Sequence, residues 1–304
     1  MTHEDHEHGG GLGHGGRRGR DLNRLAWTLG LVLAYMAAEV VGGLVSGSLA
    51  LLADAGHMLS DAASLALALF AIRAARRPPT SDRTWGFYRT EILAALANGV
   101  TLVVISLFIF WEAWQRFQDP PDVMGPLMMG VALGGLLVNG AGLMFLHGGR
   151  TESLNVRGAW LHVLSDAAGS VGAIVAGLLV WWLGWNLADP VVSVLIGLLV
   201  LGSSWTLLKE SVAVLMEGTP GHLDADEVRD SIAGARGVAA VHDLHLWTLT
   251  SGLDCLSAHV VLDGERPGAE VLEDVRSTAR DRFGIEHTTI QIEPVRLDDC
   301  APPV

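Results

Sequence analysis

Leu51–Ser64 reads LLADAGHMLSDAAS, and its reading decides the fold. It lies in a longer apolar run, Ser48–Ile72, that would cross a bilayer as a helix. Yet that run carries Asp54, His57 and Asp61. One Asp at the bilayer centre costs roughly 2.5–3.5 kcal/mol on insertion scales, so a bound cation is the simplest compensation. His57 and Asp61 are four residues apart, so both side chains leave one helix face about a turn apart. The pattern recurs at Leu161–Ser170, LHVLSDAAGS, where His162 and Asp166 keep the same spacing. Two helices, each offering an imidazole and a carboxylate, make a four-ligand N2O2 set that suits tetrahedral Zn2+. The two carboxylates would also neutralise the dication. The plainer alternative is that each His–Asp pair only hydrogen-bonds a neighbouring helix. Two copies of H-x-L-S-D-A-A argue against it.

The composition agrees with a membrane protein. Of 304 residues, 50% are hydrophobic, and the mean hydropathy is +0.38. The formal charge of −13 is unevenly spread: acidic residues concentrate after Glu217, while arginines sit in short loops between apolar runs. No basic patch supports a nucleic-acid partner. Two cysteines, Cys255 and Cys300, do not make a disulfide framework and fit a reducing compartment.

Residues 1–20 are expected to be a disordered tail, with His3, His6, His8 and His14 among glycines and acidic residues. A six-helix transmembrane domain is expected over residues 21–215, with spans near Asn23–Val45, Ser48–Ala74, Thr90–Trp114, Val123–His147, Gly158–Leu183 and Asp189–Lys209. The first, third and fifth loops contain only Arg116 as a basic residue. The N-terminal flank, the second loop and the fourth loop carry Arg17, Arg18, Arg20, Arg24, Arg73, Arg76, Arg77, Arg83, Arg150 and Arg157. The positive-inside rule then puts both termini in the cytoplasm; the membrane expected is the inner (plasma) membrane. The pairs Gly130/Gly134 and Ala173/Gly177 would let helices approach closely. Asn98 and Asn139 read as interhelical hydrogen-bonders. Glu39 reads either as part of a cation or proton path or as a residue near an interface.

After Met216 the pattern changes. The break Gly218-Thr219-Pro220-Gly221 precedes an amphipathic helix over Leu223–Ala235. Strands are expected at Val238–Thr250 and Leu253–Leu262, a helix at Pro267–Phe283 and a strand at His287–Val295. Residues 216–304 thus read as a small cytosolic α+β domain of order α-β-β-α-β. On this reading His242 and His245, three apart on a strand, face opposite sides.

With these motifs in hand, the chain resembles the cation diffusion facilitator family, most closely its zinc-transporting members. The resemblance rests on SGSLALLADAGHMLSD (Ser46–Asp61), YRTEILAALANG (Tyr88–Gly99), HVLSDAAGS (His162–Ser170), DPVVS (Asp189–Ser193), MEGTP (Met216–Pro220), VHDLHLW (Val241–Trp247) and HTTIQIE (His287–Glu293). It implies a homodimeric proton-coupled antiporter with a metallochaperone-like cytosolic domain. Its transport ligands would be His57, Asp61, His162 and Asp166. It also implies a regulatory Zn2+ site in the cytosolic domain at His242, His259, His287 and Glu293, with His245 packing or hydrogen-bonding instead. The loop RRPPTSDRTWGFYR has no His and only Asp82, so no metal site is expected there. His57, where some members carry Asp, points to a preference for zinc over cadmium.

The function expected is export of Zn2+ from the cytosol in exchange for protons, not enzymatic catalysis. An intramembrane metalloenzyme would need an open metal position and a general base, and no H-E-x-x-H occurs. A membrane-bound metal sensor without transport is the remaining rival; a flux measurement in vesicles separates the two.

Overall fold

The computed structural model describes residues 14–74, 80–146 and 154–294; the side chains of residues 14–28, 68–69, 71–74, 145–146 and 154–162 lie outside that description. The expected tail therefore falls largely outside the described residues, as does Cys300. Helix α1 (His14–Ser46) already begins within the stretch expected to be tail. It is followed by α2 (Leu49–Ala74), α3 (Arg89–Gln118), α4 (Gly125–Leu146), α5 (Leu154–Leu183), α6 (Ala188–Leu215), α7 (Ala225–Ala233), β1 (Val238–Thr250), β2 (Leu253–Leu262), α8 (Gly268–Phe283) and β3 (His287–Glu293).

The described residues form two compact units. One is drawn from Met1–Arg73 and Ala97–Thr206, the other from Ala74–Leu96 and Leu207–Val304. These units divide α3 and α6 part-way along their length. The reason is helix length: α3 has 30 residues and α6 has 28. At 1.5 Å per residue each exceeds the ~30 Å hydrocarbon core, so the overhanging turns pack with the second unit.

In the first unit, five helices are long and apolar enough to cross a membrane, within Leu29–Ser46, Arg89–Gln118, Gly125–Met144, Val163–Leu183 and Ala188–Leu215. The remaining one, α2, has 26 residues but carries the ionisable groups. Their buried faces meet in a core of Leu49, Leu51, Leu102, Met128, Ala173 and Val200. Large apolar side chains such as Trp111, Trp181, Trp182 and Met144 remain exposed, as lipid-facing positions require. The small-residue contacts are only partly those expected. Gly130 has open space around it. Gly177 is at a contact, but with Gly125 on α4: a Cβ on Gly125 would come within 2.5 Å of the Gly177 carbonyl oxygen.

The start of α2 is fixed by Asp189, the first-turn acid of α6. Ser48 Oγ donates to its Oδ1 at 2.6 Å, and the Leu49 and Ala50 amides donate to its two oxygens at 2.8 and 3.1 Å. A residue distant in sequence thus does the work of an N-cap, accepting the amides that a helix start leaves unpaired. Arg116 lies 3.4 Å from Asp189 and donates to the Gly47 carbonyl.

The second unit has a three-stranded sheet in the order β1-β2-β3, antiparallel between β1 and β2 and parallel between β2 and β3. A parallel neighbour needs a crossover, and α8 supplies it. Asp224 caps α7 through the Asp226 and Glu227 amides, and Gly284 ends α8 at φ 72°. Val228 and Ile232 of α7 and Val271, Val275 and Ala279 of α8 pack on Leu246, Leu256, Ala258 and Val260. The alternate residues of β2, including His259, therefore face away from the helices. The first turns of α3 belong to this unit. The Thr250 and Ser251 hydroxyls donate to Glu91, and Arg89 pairs with Glu217 at 2.6 Å.

Candidate metal centres

The first centre lies in the helical unit. His57 and Asp61 leave α2 one turn apart, and Asp166 projects from α5. Each offers a ligand atom within 4.8 Å of the others. His57 Nε2 lies 3.0 Å from Asp166 Oδ1. That is a direct hydrogen-bond distance; Zn–N and Zn–O bonds of about 2.0–2.2 Å put ligand atoms roughly 3.3–3.6 Å apart in a tetrahedron, so a small separation of the two atoms would admit an ion. Three of the four expected transport ligands are therefore brought together. The fourth, His162, lies on α5 one turn before Asp166, and its side chain is outside the described residues.

These ligands open onto a cavity of about 570 Å³, also lined by Tyr35, Glu39, Asp54 and Asn139. Asn139 thus faces the site. The Asn98 amide nitrogen is buried with no hydrogen-bond partner among the described residues. Glu39 is 0% exposed and lines the same cavity.

The second centre lies on the helix-free face of the sheet. Glu293 is fully buried, with His242 Nε2 3.0 Å from one of its oxygens and His259 Nδ1 3.0 Å from the other. Gln291 Nε2 donates to the same carboxylate at 2.9 Å. His242, His259 and Glu293 again offer ligand atoms within 4.8 Å of one another. This donor set fits a divalent metal: two imidazoles and a carboxylate held by a further hydrogen bond.

Two expectations change here. His287 does not join this group. It pairs with Cys255, whereas Gln291 pairs with His259. Four residues of strand, about 13 Å, separate His287 from that level. Its ring instead packs edge-on against Trp85, with centroids 4.6 Å apart. His245 does hydrogen-bond, to Asp243 at 3.0 Å. But His242 and His245 do not face opposite sides. His242 pairs with His259 and His245 with Ser257, so β1 carries one extra residue there, a bulge that returns both to one face. Asp243, in the bulge at φ 51°, was missed by sequence reasoning. Its carboxylate lies between His245 and His259, the latter 3.6 Å away. The signal was present in the spacing H-D-x-H, which strict strand alternation hides.

Comparison with known proteins gives concordant matches. Residues 26–216 match the cation efflux transmembrane domain, and residues 220–295 match the cation efflux protein cytoplasmic domain. The zinc transporter ZitB of Escherichia coli is 46% identical over 92% of this chain and 90% of its own. The metal cation efflux system protein CzcD of Cupriavidus metallidurans is 44% identical over 96% of this chain and 93% of its own. The cadmium, cobalt and zinc/H(+)-K(+) antiporter of Bacillus subtilis is 42% identical over 93% and 92%.

Proposed function

The chain belongs to the cation efflux family, a family of membrane transporters and not enzymes, and from that premise we propose that it exports Zn2+ from the cytosol in exchange for protons. The observation that carries this reading is the convergence of His57, Asp61 and Asp166 on one cavity among apolar helices. His162 completes the set as the fourth ligand. Neutral imidazoles and ionised carboxylates bind the metal when the cavity faces the cytosol. Protons then compete for the same groups on the far side, release the metal and return with the carrier. A ligand set without thiolate holds Zn2+ loosely enough to be released.

The names of the relatives support a metal substrate but not a single one, since cadmium and cobalt stand beside zinc. Zinc preference here is assigned to His57. The protein works as a homodimer in the inner membrane with both termini in the cytoplasm, a reading supported by the loop arginines and by the match to the cytoplasmic domain. His242, His259 and Glu293 hold a regulatory zinc, which offsets repulsion between two acidic domains.

The test is zinc flux into liposomes carrying the purified protein. Asp61→Asn and Asp166→Asn each remove a ligand and half of the charge that neutralises the metal, and each should abolish flux while the protein stays folded. Flux near the wild-type rate from either variant would end the reading.

A further inference from the structure

We propose that Glu39 and Asp54 form a second cation locus in the helical unit, one that takes a single positive charge, a proton or an alkali-metal ion, beside the transported metal. The inference rests on the antiport reading and adds to it a binding place distinct from the metal ligands.

Glu39 is 0% exposed, and neither of its carboxylate oxygens has a hydrogen-bond partner among the described residues. Its polar neighbours are Asp54 and Tyr35. Tyr35 has one hydroxyl proton and gives it to the Val131 carbonyl at 2.8 Å, so it has none for Glu39. Asp54 is itself only 7% exposed. Its Oδ1 lies 3.4 Å from where a Cβ on Gly169 would stand, so the missing side chain leaves room beside that oxygen.

The charge balance of the cavity leads to the same place. Facing it are Tyr35 and Glu39 from α1, Asp54, His57 and Asp61 from α2, Asn139 from α4 and Asp166 from α5, with no Lys or Arg among the lining residues. A dication held by His57, Asp61 and Asp166 is balanced by the two carboxylates that bind it. Glu39 and Asp54 fall outside that ligand group. They remain as neighbouring buried acids, and two buried like charges without donors are not tolerated together. A shared monovalent cation removes the conflict. A proton held between two carboxyl groups does so, and so does an alkali ion that takes carboxylate oxygens as ligands.

The test uses full-length protein in sealed liposomes, with zinc uptake driven either by a pH gradient in choline buffers or by a potassium gradient at equal pH. Bound zinc is counted separately by equilibrium dialysis. Glu39→Gln is nearly isosteric and should still bind zinc. Its uptake under one of the gradients should fall by roughly tenfold, within the usual range of coupling between two sites. Loss under the pH gradient identifies the ion as a proton; loss under the potassium gradient identifies it as an alkali ion. Glu39→Asp keeps the charge and should recover part of the coupling. Asp54→Asn should reproduce the Glu39→Gln defect, and it carries the test if Glu39→Gln does not fold. Uptake unchanged under both gradients overturns the proposal, and so does loss of zinc binding itself, which would make Glu39 part of the metal site. Asp61→Asn run alongside separates the two readings. If it is inactive while Glu39→Gln is wild-type, only the second locus fails; if it transports normally, the antiport site fails.

Discussion

Asp189→Ala should be among the most damaging single changes outside the metal centres. It removes the acceptor for the Leu49 and Ala50 amides and for the Ser48 hydroxyl, all buried at the start of α2. The Ser48 hydroxyl is a free rotor whose oxygen still accepts from the Leu51 amide at 3.2 Å, so its lost donation to Asp189 is left out of the sum as the smaller part. Arg116 keeps the Gly47 carbonyl and Glu112, so its charge is not abandoned. Two buried amide donors are therefore the net loss, at about 1–3 kcal/mol each, or roughly 2–6 kcal/mol together. Asp189→Asn keeps one good acceptor and should cost about half as much. A control, Glu112→Ala, breaks only the partly exposed pair with Arg116 and should cost under about 1 kcal/mol. For a unit of this size 1 kcal/mol moves Tm by about 2–4 °C, so Asp189→Ala should melt at least about 4 °C lower in detergent. Equal melting of Asp189→Ala and wild type would show that water satisfies the start of α2. Equal damage from Asn and Ala would show that the charge, not the acceptor, matters.

Three other outcomes are expected. His57→Asp should raise cadmium flux relative to zinc flux in liposomes, because it exchanges an imidazole for a carboxylate that takes larger ions; an unchanged ratio would place selectivity elsewhere. In the full-length protein, His259→Ala should lower the number of zinc ions bound at equilibrium by one per chain, whereas His287→Ala, whose ring packs on Trp85, should leave the count unchanged. Cys255 is buried, and burial first and the Asp254 charge second push its thiol above the usual range. A thiolate-seeking alkylating agent at pH 7.5 should therefore label Cys255 only in denaturant, and rapid labelling of the native protein would contradict that burial.

The meeting of His57, Asp61 and Asp166 was legible in the sequence because helical geometry is regular. His57 and Asp61 share a face whatever the neighbours do, and placing such groups in an apolar run already demands a partner. The strands β1 and β2 were legible to the residue for a similar reason, an alternating pattern broken at Ser251-Gly252. What failed were inferences that depended on the local register of the sheet or on a contact between distant segments that no motif marks. The bulge at Asp243 shifts register by one residue and puts His242 and His245 on one face instead of two. His287 opens the very strand that Glu293 closes, and the parallel register, with Gln291 opposite His259, decides which of them comes near that histidine. Asp189 looked like part of a helix start, and it is, but it also caps another helix 140 residues away.

On the proposed function the two centres, which use the same ligand types, need different residence times. Glu293 is hydrogen-bonded by His242 and the Gln291 amide, with His259 Nδ1 3.0 Å from it, on paired strands. Those contacts orient the carboxylate before any metal arrives, which lowers the ordering cost of binding and favours a resident ion. His57, Asp61 and Asp166 sit on two separate helices beside a cavity of about 570 Å³, and a relative shift of α2 against α5 changes every distance between the two sets. Weakening such a site requires no bond within a helix to break, only a movement between helices. A carrier needs that property where it releases its cargo, and a regulatory site does not.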